Sequence, residues 1–214
     1  HQHDAQGQSQ LKSTTSTLSM RTLRLCVARS NAFRRCLLQE RWMFLLDPNT
    51  AHDNVDRIGL WCALARDEGA RHIIVQHKLA HHVVQWCTDC DDVQLHEVAA
   101  QFLVHEFAGE ERATECTDVA KMKRVTQVLV RMCALRSTTK VFQNAAIALR
   151  CLALQLKRHQ HGHIAQEGDK EQGFDLLVNM ITEQSLVHVL CELMCDNDDS
   201  TTIVASVDTL KCAV

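Results

Sequence analysis

The chain has 214 residues, a formal charge of −3 and 46% hydrophobic content, enough apolar mass for one sizeable or two small domains. One proline, seven glycines, 4% aromatics and no tyrosine leave it short of the turn residues that β-sandwiches and α/β folds use, so long helices are expected. Net acidity removes any global pull on phosphate backbones, and no apolar run reaches the roughly 18 residues that a bilayer crossing needs, so nucleic acid and membrane are set aside as partners.

Residues 1–17 (HQHDAQGQSQLKSTTST) are polar and aperiodic and read as a disordered tail, because they bury too little to offset chain entropy. From residue 18 to 214, segments with apolar residues three and four apart follow one another, each an amphipathic helix. Asp47-Pro48-Asn49-Thr50 is a polar turn, and Gly69 is expected to close a helix over 54–67. Asp91-Asp92 introduces a helix from Val93, with Gln94 in capping-box relation to Asp91 and with Leu95, Val98, Ala99, Phe102 and Leu103 on one face. Met122, Val125, Leu129, Met132 and Leu135 mark the next helix, Arg158–Gln172 reads as a loop insertion, and Asp196–Asp199 as a further turn. The chain opens His-Gln-His and stops at Val214 inside a helical pattern, so it reads as a piece of a longer solenoid. Its eleven cysteines are odd in number and sit mostly in apolar runs, as free thiols in a reducing, cytoplasmic compartment would.

The segments RTLRLCVA, LWCALARD, AAQFLVHE, AAIALRCL and SVDTLKCA align Leu25, Leu64, Leu103, Leu149 and Leu210, at intervals of 39, 39, 46 and 61 residues. That spacing fits a helical repeat, with the insertion lengthening the last interval. Independently, a shift of 107 carries Ile74, Leu79, Asp89, Asp91, Asp92 and Leu103 onto Ile181, Leu186, Asp196, Asp198, Asp199 and Leu210. Residues 69–109 (GARHIIVQHKLAHHVVQWCTDCDDVQLHEVAAQFLVHEFAG) resemble one armadillo repeat, with a short first helix, an isoleucine-containing turn, a second helix, an acidic turn and a long third helix with paired alanines. HIAQEG at 163–168 resembles the end of the family's first helix, glycine included, whereas the positions around His77 lack that glycine. The resemblance spans about 18–214 and leaves HEAT repeats as a close relative. It implies an all-α fold, a right-handed α-solenoid of about four to five armadillo-like repeats.

Such repeats stack to bury their apolar faces and line a groove with their third helices. The resemblance implies a protein-binding scaffold or architectural subunit without cofactor or catalysis, its partner an extended peptide or helix, with a place in a large assembly such as a cytoskeletal complex. Arg66, Gln101 and His105 occupy groove positions. Import receptors of the family clamp peptides with asparagine and tryptophan ladders. Here the asparagine positions hold Val27, Arg66, His105, Cys151 and Cys212, and the tryptophan positions hold Leu23, Cys62, Gln101, Ile147 and Asp208, so neither ladder is present.

The alternative chemistry is zinc binding in the His/Cys-rich stretch 72–96. There Cys87 and Cys90 form a CxxC pair, and His77 and His81 lie four apart. The pair, however, straddles a predicted helix end, and the bland reading is a half-buried Cys87, an exposed Cys90 and solvated histidines. His159-Gln160-His161-Gly162-His163 alternates imidazoles in the most loop-like stretch. No nucleophile elbow or phosphate loop accompanies the many cysteines and histidines, which points away from an enzyme. Lys121-Met122-Lys123-Arg124 reads as the wet side of a helix, and Trp42, Trp61 and Trp86 fall at apolar phases.

Overall fold

A computed structural model describes residues 20–39, 42–49, 53–108, 119–135, 138–161, 187, 188, 190, 191 and 200–212. The expected tail, most of the 158–172 insertion, the 196–199 turn, Ile181 and Leu186 lie outside them. The described residues form helices and contain no strand. In chain order these are α1 (20–29), α2 (Asn31–Gln39), one 3-10 turn (Trp42–Leu46), α3 (Asn54–Leu64), α4 (Glu68–Gln76), α5 (Ala80–Asp89), α6 (Val93–Phe107), α7 (Val119–Leu135), α8 (Thr139–His161) and α9 (Ser200–Cys212). The chain divides into two compact units, 1–86 and 87–214.

The helix order expected of the armadillo-like stretch is present in α4, α5 and α6, helices of 9, 10 and 15 residues. Aspartates start three of the helices, α3, α4 and α6. Asp53, Asp67 and Asp92 take extended backbone angles, and their side chains accept from the N–H groups of Val55, Ala70 and Gln94, satisfying amides that have no partner within the helix. Two expectations are corrected by these caps. The capping residue of α6 is Asp92 rather than Asp91, and Gly69 closes nothing, because Asp67 starts α4 around it. At the other end of α4 the chain turns through Lys78 at φ 54°, the left-handed conformation for which the family's first helix supplies glycine. Two backbone bonds frame it, from the Lys78 N–H to Val75 O and from the His81 N–H to Lys78 O.

In the first unit α3 is buried over most of its length, with Ile58, Leu60, Trp61 and Leu64 fully enclosed. The Trp61 indole donates to Leu45 O at 2.9 Å and the Arg57 guanidinium to Pro48 O at 2.7 Å, so α3 fixes the 3-10 turn and the segment after it. Gly59 lets α1 come close: a Cβ there would lie 2.5 Å from the Arg24 side chain, which is itself paired with Asp56 at 3.0 Å. The leucine register fails at its first member. Leu25 is 38% exposed, whereas Met20 and Val27 are buried, because these two residues, seven apart, define the inward stripe of α1.

The second unit is built on α8, against which α6, α7 and α9 pack. Small residues on α8, Ala145, Ala146, Ala148 and Ala153, are buried beside Leu149 and Leu152 and allow close helix approach. Phe102, Leu103, Leu129 and Met132 fill the space from α6 and α7. The buried Gln155 donates to Phe107 O at 2.7 Å, satisfying a terminal carbonyl of α6. Arg158–His161, expected as the start of a loop, are helical instead. α8 runs on to His161, since no glycine or proline interrupts it before Gly162.

Candidate functional site

The long third helices of the second unit lie side by side, α6 against α8 and α8 against α9. Polar contacts tie neighbours across this surface. Lys140 Nζ lies 3.8 Å from Glu97 Oε1, and Arg150 Nε lies 2.7 Å from Asp208 Oδ2. Lys157 Nζ donates to Lys211 O at 3.3 Å.

Gln101 and His105 are half-buried on one face of α6, two residues either side of the fully buried Leu103. The same offset before Leu149 and Leu210 places Ile147 on α8 and Asp208 on α9, both half-buried. The offset after Leu149 gives Cys151, also half-buried. At these matching offsets α6, α8 and α9 thus present half-buried side chains of mixed polar and apolar character, Gln101, His105, Ile147, Cys151 and Asp208.

Arg66 behaves differently. It lies in the turn after α3, exposed, and its Nη1 donates to Ala28 O in the last turn of α1 at 3.3 Å, where a cation complements the helix end. Part of its hydrogen-bonding capacity is thus committed within the fold.

In the stretch 72–96, Cys87 is buried, while Cys90, His77 and His81 are exposed. Cys87 is more deeply enclosed than expected, at 1% exposure. His81 meets the edge of His82 at 5.7 Å between ring centroids. The histidine expected in solvent at position 96 is buried, with Nε2 3.0 Å from Cys90 O. The start of α6 at Val93 puts His96 beside Leu95 on the inward face, and the free carbonyl at the end of α5 gives it a partner. Among the described residues no three His, Cys, Asp or Glu side chains are grouped so as to hold a metal ion. His159 and His161 belong to the end of α8, and Gly162 and His163 lie outside the described residues.

Burial pushes the thiols of Cys62, Cys87 and Cys133 up to about 12, and raises that of Cys151 against the opposing pull of Arg150. Cys26, Cys36, Cys62, Cys87, Cys90, Cys133, Cys151 and Cys191 are free thiols. Trp42 and Trp61 are core residues as expected. Trp86 is half-buried, stacked on Trp61 at 6.0 Å, with the Arg57 guanidinium 5.3 Å from its ring centre. On α7, Lys123 and Arg124 are exposed next to a half-buried Met122, as the wet side of a helix should be.

No protein-family model matches the chain, and no curated protein matches it. Among solved structures it is similar to an engineered protein determined by the Northeast Structural Genomics Consortium, with a TM-score of 0.54 and 16% identity, over 94% of this chain and 91% of that one. A designed armadillo repeat protein aligns with a TM-score of 0.48 and 12% identity, over 92% and 93% of the two chains. The first likeness bears on the fold alone. With the described helices it makes the fold all-α, and the order and lengths of α4 to α6 are those expected of an armadillo-like repeat. Among the described residues no helix is long and apolar enough to cross a membrane.

Proposed function

We propose that the chain is a non-catalytic scaffold that binds a protein partner along the third-helix surface of α6, α8 and α9. The observation that carries the reading is the set of half-exposed side chains at matching offsets on these packed helices. Gln101, Ile147, Asp208, His105 and Cys151 stand half-exposed on a framework whose own core is filled by the residues between them. Side chains of this mixed kind, on rigid helices, supply hydrogen bonds and apolar contact to an extended segment or partner helix. These positions lack the asparagine ladder that clamps a peptide main chain, so recognition rests on the partner's side chains. Their mixture of acid, base and apolar groups suits a protein better than a polyanion.

The thiols enclosed by the core are held protonated, which makes them poor nucleophiles, in keeping with a scaffold rather than an enzyme. The eight free thiols support a reducing, cytoplasmic setting, and a cytoskeletal or similar large assembly is the kind of partner complex that the reading accommodates. The test is a pair of charge substitutions, Gln101→Arg with Ile147→Glu, in the full chain. Partner capture should be lost while the helical circular dichroism signal and melting temperature stay within about 2 °C of the parent, since both sites are half-exposed. Undiminished capture would sink the assignment of this surface.

A further inference from the structure

A second surface lies in the first unit, and its occupant is legible from charge. The 3-10 turn Trp42–Leu46 turns Trp42, Leu45 and Leu46 inward, where all three are buried. Met43 and Phe44 are left 55% and 69% exposed. This outward placement is built in: the Trp61 indole holds the Leu45 carbonyl and Arg57 holds that of Pro48, so the turn cannot rotate to bury Phe44 without breaking bonds made by buried side chains.

The adjoining α2 packs on the turn and contains no buried residue, with Phe33 41% exposed. Arg34 ties α2 down by donating to Ala63 O at 3.2 Å. The apolar groups sit in a basic frame. Residues 20 to 49 hold six arginines (21, 24, 29, 34, 35 and 41) against two acids, Glu40 and Asp47, although the chain as a whole has a charge of −3. Arg29 and Arg35 are exposed at the end of α1 and on α2.

We propose that Phe33, Met43 and Phe44, framed by Arg29 and Arg35, form a docking surface for an acidic amphipathic helix of a partner protein. Large apolar side chains fixed outward provide the buried anchors of an interface, methionine adapting its shape to the partner. Arginines at the rim select carboxylates by paired hydrogen bonds and speed encounter. The arrangement favours a protein over RNA, because an apolar helix face fills the Met43 and Phe44 anchors, whereas only two aromatic rings are there for bases to stack on. This surface is independent of the third-helix reading and stands or falls separately.

The probe is a fluorescein-labelled synthetic helix of about 20 residues with Leu and Phe on one face and Glu on the other, titrated against the full chain by anisotropy. Binding is expected in the micromolar range and should weaken about tenfold or more with Phe44→Ala plus Met43→Ala, an effect of the size that anchor residues give. Arg35→Glu should weaken it further and flatten its salt dependence. A charge-inverted Lys/Leu helix should not bind. These substitutions fall on exposed side chains, and an unchanged circular dichroism spectrum certifies the fold. Absent binding, equal binding of the charge-inverted helix, or insensitivity to Phe44 and Met43 would overturn the proposal. So would tighter binding of oligouridylate or of phosphatidylserine vesicles than of the acidic helix.

Discussion

Replacing Lys78 by glycine should stabilise the protein, and the size of the gain follows from the backbone. Lys78 sits at φ 54°, where the Cβ of an L-residue crowds its own backbone at a cost of about 1–2 kcal/mol. Glycine carries no such cost, but it loses about 0.5–1 kcal/mol more conformational entropy on folding. The lysine side chain is exposed, so little packing is lost. The balance is a gain of about 0.5–1 kcal/mol, or a rise of roughly 1–4 °C in melting temperature for a chain of this size. Lys78→Ala is the control: it removes the side chain beyond Cβ and keeps the strain, so it should leave the melting temperature nearly unchanged. The assay is thermal unfolding followed at 222 nm for the parent and both variants. If alanine stabilised as much as glycine, the gain would come from removing the charge. If glycine destabilised, the turn between α4 and α5 would not have the left-handed geometry on which the repeat assignment rests.

Leu103→Ala opens a cavity beneath the third-helix surface at a fully buried position and should cost about 2–5 kcal/mol in urea unfolding; a loss below about 1 kcal/mol would deny Leu103 its core position. Iodoacetamide under native conditions should label Cys36, Cys90 and Cys191, which are exposed, and spare Cys62, Cys87 and Cys133 until denaturant is added. Mass spectrometry reads both sets, and early labelling of Cys62 would contradict its burial. His82 is held below its ordinary value of 6.5 by burial, then by His81 and Arg57, so the folded state takes up its proton less readily than the unfolded chain. The stability from neutral His82 is complete above the unfolded value and falls as pH drops through it toward the folded one. His82→Gln should therefore flatten the acid limb of the stability profile, and an unchanged slope would refute this.

The repeat was legible because its signals are local. Paired alanines, the acidic run before Val93 and the three-four apolar spacing of Leu95 to Leu103 specify a long helix after an acidic turn, and α6 forms there. Boundaries were harder, because several residues compete for each cap. Asp92 outcompetes Asp91, and Asp67 keeps Gly69 inside a helix. Leu25 misled because one apolar residue does not set an inward face. The stripe is set by Met20 and Val27, and only packing distinguishes the two registers. His96 looked solvated because nothing in its neighbourhood announces that the last carbonyls of α5 need a donor. Gln101 and His105 stand two residues either side of Leu103, a spacing that the leucine register alone makes legible. The outward-facing Phe44 gave no sequence signal, since WMFLL is apolar throughout and only the bonds from Trp61 and Arg57 decide which side chains turn out.

The most direct test of the scaffold is amine crosslinking of the full chain with its captured partner, read by mass spectrometry. Lys140, Lys157 and Lys211 lie on α8 and α9, whereas Lys78 and Lys123 lie on α4's exit turn and on α7. The proposed function predicts that partner crosslinks concentrate on the first three and disappear with Gln101→Arg plus Ile147→Glu. Crosslinks confined to Lys78 and Lys123, indifferent to those substitutions, would contradict it.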